Sequence, residues 1–405
     1  MECDVLVVGS GISGSVAALS CLHHGSDKVL ILEKASKVGG FTSQKIDFAE
    51  KTGLEDIIRK LKLPTRYLSY KSNWYSPSNA RFRLNSKTAD CWVKRGPSDD
   101  SFEVSAINSA VKKGAKLLLN SRVSECKKSS LTAKIDGKTE EIKAKVVIDA
   151  EGLNSNLANT LKIYENLGNS FTKIVGYGVG GYNFDMEEGV PEIFFSTKHA
   201  SGSYVLLCKD PLDGVGYLIQ GFREDKTVDI KQHFQNLVEK NDVIKAVLKN
   251  AEIIQNIHGT LYITDSLPVR FRSNNVLFVG DSARLMDPFL HYGVKPAIIS
   301  GYLAGKVASN IYKGCDLDEY DKMIKEVIFP ELKTQHKNRK VFNKLSDNDL
   351  NTLFEFLIEL REKNTDFDAL FENPYGQIPR ILTILAKNPS RIPLSLKLIL
   401  VRGLS

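Results

Sequence analysis

Short, wholly apolar runs alternate with glycine and with amphipathic stretches through the first third of the chain. Val5–Val8 is continuous enough for a strand buried on both faces, as in a parallel sheet. The segment GISGSVAALSCL follows with helical patterning, and KVLILEK predicts a second buried strand ending near Glu33. Residues 50–62 are patterned as an amphipathic helix that stops before Pro64, and 66–94 as short antiparallel strands. A capped helix then runs to Gly114 and a strand through Leu119, and AKVVIDAEG at 144–152 predicts another buried strand. This order suits a doubly wound sheet with a β insertion. Residues 170–255 change character, with runs such as EIFFST and GVGYLIQGF bounded by turn residues, and predict the antiparallel strands of one open sheet. Asp210–Gly214 is a tight turn, so its flanking strands form a hairpin with Tyr204, Leu206 and Cys208 on one face. Val276–Val279 returns to buried-strand patterning, and helical patterning governs 318–362.

The expected fold class is α/β. A discontinuous Rossmann-like domain takes residues 1–48, 85–165 and 256–330, an antiparallel-sheet domain 49–84 and 166–255, and a helical region 331–405.

The turn after the first strand carries chemistry. Gly9, Gly11 and Gly14 form GxGxxG, and Glu33 follows nineteen residues after the last glycine. Gly9 permits the tight turn, Gly11 lets the backbone approach a pyrophosphate, and Gly14 lets the helix lie close on the strand. A pyrophosphate would rest on the helix N-terminus, where free amides and the dipole attract anions. Glu33 would accept from both hydroxyls of an adenosine ribose and disfavour a 2'-phosphate. The motif serves NAD or FAD equally.

A second constellation separates these. VLFVGDSARLMDP places Gly280 and Asp281 at the carboxyl end of a buried strand, where an acid faces the ligand crevice. A ribityl chain needs such an acceptor, which favours FAD. Gly293 and Pro296 open the next helix, whose positive end would point at the ring beyond.

Composition narrows the classes. Charged residues make up 25% and apolar ones 42%, the mix of a folded water-soluble chain. A net charge of +7 spread among alternating acids and bases does not suggest a nucleic-acid surface. No apolar run reaches membrane-span length and no signal peptide precedes the first strand, so a cytoplasmic protein is expected. Cys3, Cys21, Cys91, Cys126, Cys208 and Cys315 lack metal-ligand spacing and read as reduced thiols, with no metal expected. From Asn373 to Ser405 the chain carries Arg380, Lys387, Arg391, Lys397 and Arg402, no acid, and many aliphatic residues. That tail caps the body or meets a membrane surface peripherally.

Taken in order, GxGxxG with Glu33, Arg95 before a helix ending in KKGAKLL, DAEGLNSN and GDSARLMDPFLHYGV resemble the FAD-binding pattern of the geranylgeranyl reductase family, within the aromatic hydroxylase-like flavoproteins. The resemblance covers residues 1–345 and implies a GR2-type FAD domain. It implies that Gly9, Gly11, Gly14 and Glu33 hold the ADP half, that Arg95 approaches the flavin, and that Val123 lies near the adenine. Asp281 would bind ribitol and Gly293 would sit beside the isoalloxazine. Ser13, Lys34, Gly40, Gly152, Gly280 and Val294 lie in or beside these motifs and complete the expected cofactor set. Where the family carries a PxxYxWxFP hairpin, Tyr204 matches its tyrosine, Leu206 and Cys208 replace Trp and Phe, and Lys209 replaces Pro. The family's cysteine-bearing loop is also missing, since residues 39–47 read GGFTSQKID.

The implied activity is reduction of prenyl C=C bonds, with a prenyl or lipid substrate and Leu206 and Cys208 in its pocket. The proton donor is sought among His291, Tyr292 and Tyr204, with His291 favoured because imidazole titrates near neutrality. The electron donor is left among NADPH, NADH and reduced ferredoxin, the last implying a redox partner. Rival readings are a monooxygenase of the aromatic hydroxylase type and a quinone-linked electron-transfer flavoprotein. In the monooxygenases Asp-Gly usually stands where this chain has Glu151-Gly152.

Overall fold

A computed structural model describes residues 1–126, 130–165, 171–197, 204–224, 229–311 and 314–362, with only the backbone of Cys126 and Tyr204. The chain divides into two compact units. Unit 1 comprises Met1–Leu68, Asp90–Lys173 and Thr260–Thr334, and unit 2 comprises Ser69–Ala89, Ile174–Gly259 and the chain from Gln335.

The chain opens with β1 (Glu2–Val8), α1 (Ile12–His23), β2 (Val29–Leu32), β3 (Lys45–Glu50) and α2 (Glu55–Leu61). Strands β4 (Tyr67–Tyr75) and β5 (Arg81–Arg95) leave for unit 2 and return. Unit 1 continues with α3 (Phe102–Lys112), β6 (Lys116–Leu118), β7 (Ser121–Cys126), β8 (Leu131–Ile135), β9 (Lys138–Asp149) and α4 (Asn156–Thr160). Next come β10 (Phe171–Tyr182), β11 (Glu192–Phe195), β12 (Tyr204–Lys209), β13 (Gly216–Arg223), α5 (Ile230–Lys240) and α6 (Asp242–Val247), largely in unit 2. Strand β14 (Glu252–Thr264) leads back to β15 (Arg272–Ser273), β16 (Val276–Phe278), α7 (Val294–Asn310) and α8 (Asp318–Val327). Helices α9 (Phe329–Phe342) and α10 (Asp347–Glu362) follow.

Unit 1 is built on a sheet of order β15-β16-β9-β1-β2-β6, parallel except at β15. Val5–Val8 and Val29–Leu32 are buried on both faces, as their unbroken apolar runs require. Strands β7 and β8 extend β9 as an antiparallel ribbon. Carboxyl ends of β1, β9 and β16 lie side by side, with Val8 opposite Asp149 and Asp149 opposite Phe278. Both motifs therefore open at one edge of the sheet.

Unit 2 is built on strands in the order β14-β10-β13-β12-β11-β4-β5, with residues 81–89 of β5 in this unit. One face buries Phe194, Val205, Leu207 and Leu218 with Phe234 of α5 and Ile244 and Val247 of α6. The β12–β13 hairpin forms around the Asp210–Gly214 turn as expected, with Leu206 opposite Ile219 and Cys208 opposite Tyr217.

The structure corrects several expectations. Residues 230–247 are helical rather than strands, because Asp229 and Asn241 cap two helices and Ile230, Phe234, Leu237 and Val238 recur at helical spacing. Strand β11 pairs with β4 in parallel, not antiparallel. The expected helix over 50–62 begins only at Glu55, with β3 before it. Residues 49–68 group with unit 1 because Leu54, Ile57, Leu61 and Leu63 enter its core. The described helices from Gln335 group with unit 2, where Phe195 meets Phe342 and Phe354.

Candidate functional site

The first turn does what its glycines permit. Gly9 sits at φ +104°, and a Cβ there would meet the Ala150 carbonyl oxygen at 2.3 Å. A Cβ on Gly14 would stand 2.0 Å from the Gly9 oxygen, so α1 can lie against the turn only with glycine at this position. At Gly11 a Cβ would meet nothing within 4 Å. Gly11 is the N-cap of α1 and makes no side-chain cap bond, so the helix presents its first amides to open space. Ser13 lies buried in the first helical turn.

Glu33 is fixed by the chain itself. Its Oε2 accepts from the Ser10 amide at 2.9 Å and from the Ser10 hydroxyl, and its Oε1 accepts from the Ala35 amide at 2.8 Å. Oε1 retains acceptor capacity for an incoming hydroxyl. Lys34 is exposed with its ammonium over the Phe41 ring, Gly40 lies in the exposed turn before Phe41, and Val123 is buried in β7.

The second turn is tied to the end of β9. Asp149, fully buried, accepts from the Glu151 amide at 2.9 Å, the Ser155 hydroxyl, and the Ser282 hydroxyl at 3.2 Å. Burial and then the Glu151 charge push its carboxyl up to about 7. The Gly152 amide donates to Ser282 Oγ at 2.8 Å, locking Gly152, at φ +81°, to the GDS turn. Glu151 turns its carboxylate into the start of α4, accepting from the Leu157 amide at 3.0 Å. Gly280, at φ +55°, donates its amide to Ser300 Oγ at 3.0 Å.

Asp281 differs from these acids. It is half-buried, and among the described residues no protein donor reaches its carboxylate. Burial raises its carboxyl above the usual range against the pull of Arg95, Arg284 and Lys45. A Cβ on Gly293 would stand 3.8 Å from Asp281 Oδ1 and 3.1 Å from the Met286 methyl. Gly293 is the N-cap of α7, again without a side-chain cap, and Val294 is the buried first residue of that helix. Arg95 is held by Glu103 and by Asp47 Oδ2, the latter at 2.8 Å. Both carboxylates keep it charged.

A flavin dinucleotide fits this donor and acceptor set. Glu33 and Asp281 are two carboxylates with spare acceptor capacity, and two uncapped helix N-termini open at the same sheet edge.

His291 and Tyr292 lie half-buried in the loop between Met286 and Gly293, with His291 at φ +59°. Leu206 and Cys208 are buried in unit 2, on the sheet face shared by Ile193, Tyr217 and Ile219. Tyr204 pairs with Phe195 through its backbone, and its side chain lies outside the described residues. The basic segment from Asn373 to Ser405 lies outside them too.

Ser10, Asp149, Ser155 and Ser282 were not singled out from the sequence. Asp149 carried a signal, since it ends a buried strand just as Asp281 nearly does. Among the described residues no three His, Cys, Asp or Glu side chains gather as a metal ion would need. Cys3, Cys21, Cys91 and Cys208 are buried thiols outside any disulfide, and Cys315 is a partly exposed one.

Fold and site together define an FAD-dependent oxidoreductase, and the FAD dependent oxidoreductase family profile matches residues 4–159. Across most of its length the chain is similar to geranylgeranyl lipid reductases. It is 22% identical to the digeranylgeranylglycerophospholipid reductase of Methanocella arvoryzae, across 94% of this chain and 97% of that one. It is 27% identical to the enzyme of the same name from Methanocaldococcus jannaschii, across 88% and 90%. A geranylgeranyl bacteriochlorophyll reductase-like protein from Thermoplasma acidophilum shares the fold with a TM-score of 0.75 at 21% identity, across 95% of this chain and 99% of that one.

Proposed function

We propose that this protein reduces C=C bonds of geranylgeranyl or related isoprenoid chains, carried by membrane lipids or their prenyl precursors. The observation that carries this reading is the end-to-end match to digeranylgeranylglycerophospholipid reductases. We assign Gly9, Gly11, Ser13, Gly14, Glu33 and Lys34 to the ADP half of FAD. Gly40, Arg95, Gly152, Gly280, Asp281, Gly293 and Val294 are assigned to its flavin half, and Val123 to the adenine surroundings.

Bound FAD, once reduced, supplies the hydride. An isolated alkene offers no polar handle, so the protein must hold it by apolar shape, exclude water and bring a proton to the second carbon. The apolar sheet face bearing Leu206 and Cys208 suits the first task. His291 is the preferred proton donor, because imidazole exchanges protons near neutral pH, with Tyr292 and Tyr204 as the alternatives. The reductant is a nicotinamide cofactor or a ferredoxin, distinguished by which of them bleaches the flavin.

The test is spectroscopic. The purified protein is expected to be yellow, to bleach with dithionite, and to recover its colour without oxygen on each addition of a geranylgeranyl lipid. A colourless protein that takes up no FAD, or a reduced one indifferent to prenyl lipids, would overturn the reading.

A further inference from the structure

We propose that Asp287 is the positioning residue of the loop that presents His291 and Tyr292, an inference that rests on the function proposed above. Asp287 is 6% exposed and makes four bonds along the six residues of its own loop. Its Oδ1 accepts from the amides of Phe289 at 2.7 Å and Leu290 at 2.9 Å. Its own amide donates to the Tyr292 carbonyl at 3.2 Å, and its carbonyl accepts from the His291 amide at 3.1 Å. One side chain thus ties down the middle of the loop while the same residue's backbone closes the ends.

The closure matters because of where His291 sits. Its φ of +59° lies in the left-handed region, which a residue with a Cβ keeps only when its surroundings hold it there. Four residues after Asp287 the chain must enter this region, and two residues later it must start α7 at its N-cap Gly293. Without the Oδ1 bonds, Phe289 and Leu290 lose the turn that feeds His291 into that conformation. The imidazole would then lose its aim.

Charge is a separate matter from this hold. Lys295 of α7 and Glu331 of α9 are the charged groups bearing on Asp287, and Lys295 is itself shared between Glu331 at 2.7 Å and Glu50 at 2.9 Å. The two main-chain amides need only an acceptor oxygen, and an amide oxygen in place of the carboxylate supplies one. The holding role therefore predicts that asparagine substitutes and alanine does not.

The experiment compares Asp287→Ala and Asp287→Asn in the FAD-loaded protein. Since misplacing a catalytic group by an ångström costs about 100-fold, Asp287→Ala is expected to lower kcat about 100-fold with KM for a geranylgeranyl lipid within about twofold. Asp287→Asn is expected to stay within about threefold in both. Amide hydrogen exchange over residues 288–292 should rise at least about tenfold in the alanine variant and not in the asparagine one. If alanine prevents folding, Asp287→Glu, whose longer arm displaces the acceptor, takes its place. Unchanged exchange in the alanine variant, raised exchange with unchanged turnover, or an asparagine variant as impaired as alanine would each overturn the proposal. A wild-type protein that reduces no prenyl chain defeats the function reading instead, and the exchange comparison still decides whether Asp287 holds the loop.

Discussion

Gly11 and Gly14 stand three residues apart in one turn and are there for different reasons. Gly14 serves the fold, since a methyl group on it meets the Gly9 oxygen at 2.0 Å. Gly11 serves the ligand, since the space beside it is open and its φ of −65° suits any residue. Gly11→Ala should therefore leave the melting temperature of the cofactor-free protein nearly unchanged, a difference under about 0.5 kcal/mol, while weakening FAD at least about tenfold. Gly14→Ala should destabilise the cofactor-free protein by about 1–3 kcal/mol. Calorimetry without FAD and flavin fluorescence titration separate the two effects. Asp149 sets a second expectation at this scale. Its carboxyl is raised to about 7 in the fold by burial and by Glu151, against an ordinary value of 3.8. Between those values the folded chain binds more protons at this group than the unfolded chain, so its contribution makes stability fall as pH rises from about 4 to about 7. Asp149→Asn mimics the protonated acid and should flatten that slope. Thermal melts at pH 5 and pH 8 check it, and an equal pH slope in both proteins would count against the assignment.

Helices α1 and α7 start at the two motifs and cross at the closest contact their backbones allow. A Cβ on Gly301 would lie 2.4 Å from the Ser13 carbonyl oxygen, and one on Gly305 would lie 2.6 Å from that of Ala17. Gly301→Ala should therefore push α1 off α7, costing about 1–3 kcal/mol and loosening FAD through the displaced Ser13 turn. Gly259→Ala, with nothing within 4 Å, is the neutral control in the same melting and titration series. This crossing shows where reading the sequence stops. The strand, glycine turn, helix and second strand of the first 33 residues are local and could be read directly. Gly301 and Gly305 are visible as small residues one turn apart, but their partners Ser13 and Ala17 lie on an element almost 290 residues earlier. Asp149 fails to declare itself for the same reason, since its Ser282 partner is 133 residues away. The parallel pairing of β11 with β4 joins segments 119 residues apart, Asn73 with Glu192, and strand pattern carries no direction. Helix α5 was missed differently. Its 3.6-residue period is present, but it sits among β-rich runs that carry the strand pattern of the whole stretch.

At the scale of the whole chain, the proposed substrate class raises a question of access, since prenyl chains of membrane lipids lie in a bilayer. No helix among the described residues is long and apolar enough to cross one. The excess positive charge is unevenly placed: five basic residues and no acidic one fall between Asn373 and Ser405, against a net +7 for all 405 residues. Interleaved with Ile381, Leu382, Leu385, Leu398, Ile399 and Leu400, these cations give that segment the composition of a peripheral anchor. We propose that it brings the protein to an anionic membrane surface. At about 1 kcal/mol per cation near such a surface, five would contribute up to about 5 kcal/mol. That attraction is screened by salt, whereas apolar insertion is not. Sedimentation with vesicles containing about a third anionic phospholipid should recover the protein at low salt and release most of it at about 0.5 M salt. Replacing Arg380, Lys387, Arg391, Lys397 and Arg402 with glutamine should weaken vesicle binding at least about tenfold, while turnover of a detergent-dispersed prenyl lipid stays near the wild-type rate. Binding that survives both salt and the five substitutions would move the contact elsewhere on the protein, and loss of turnover in detergent would assign those residues to the substrate site rather than to the membrane.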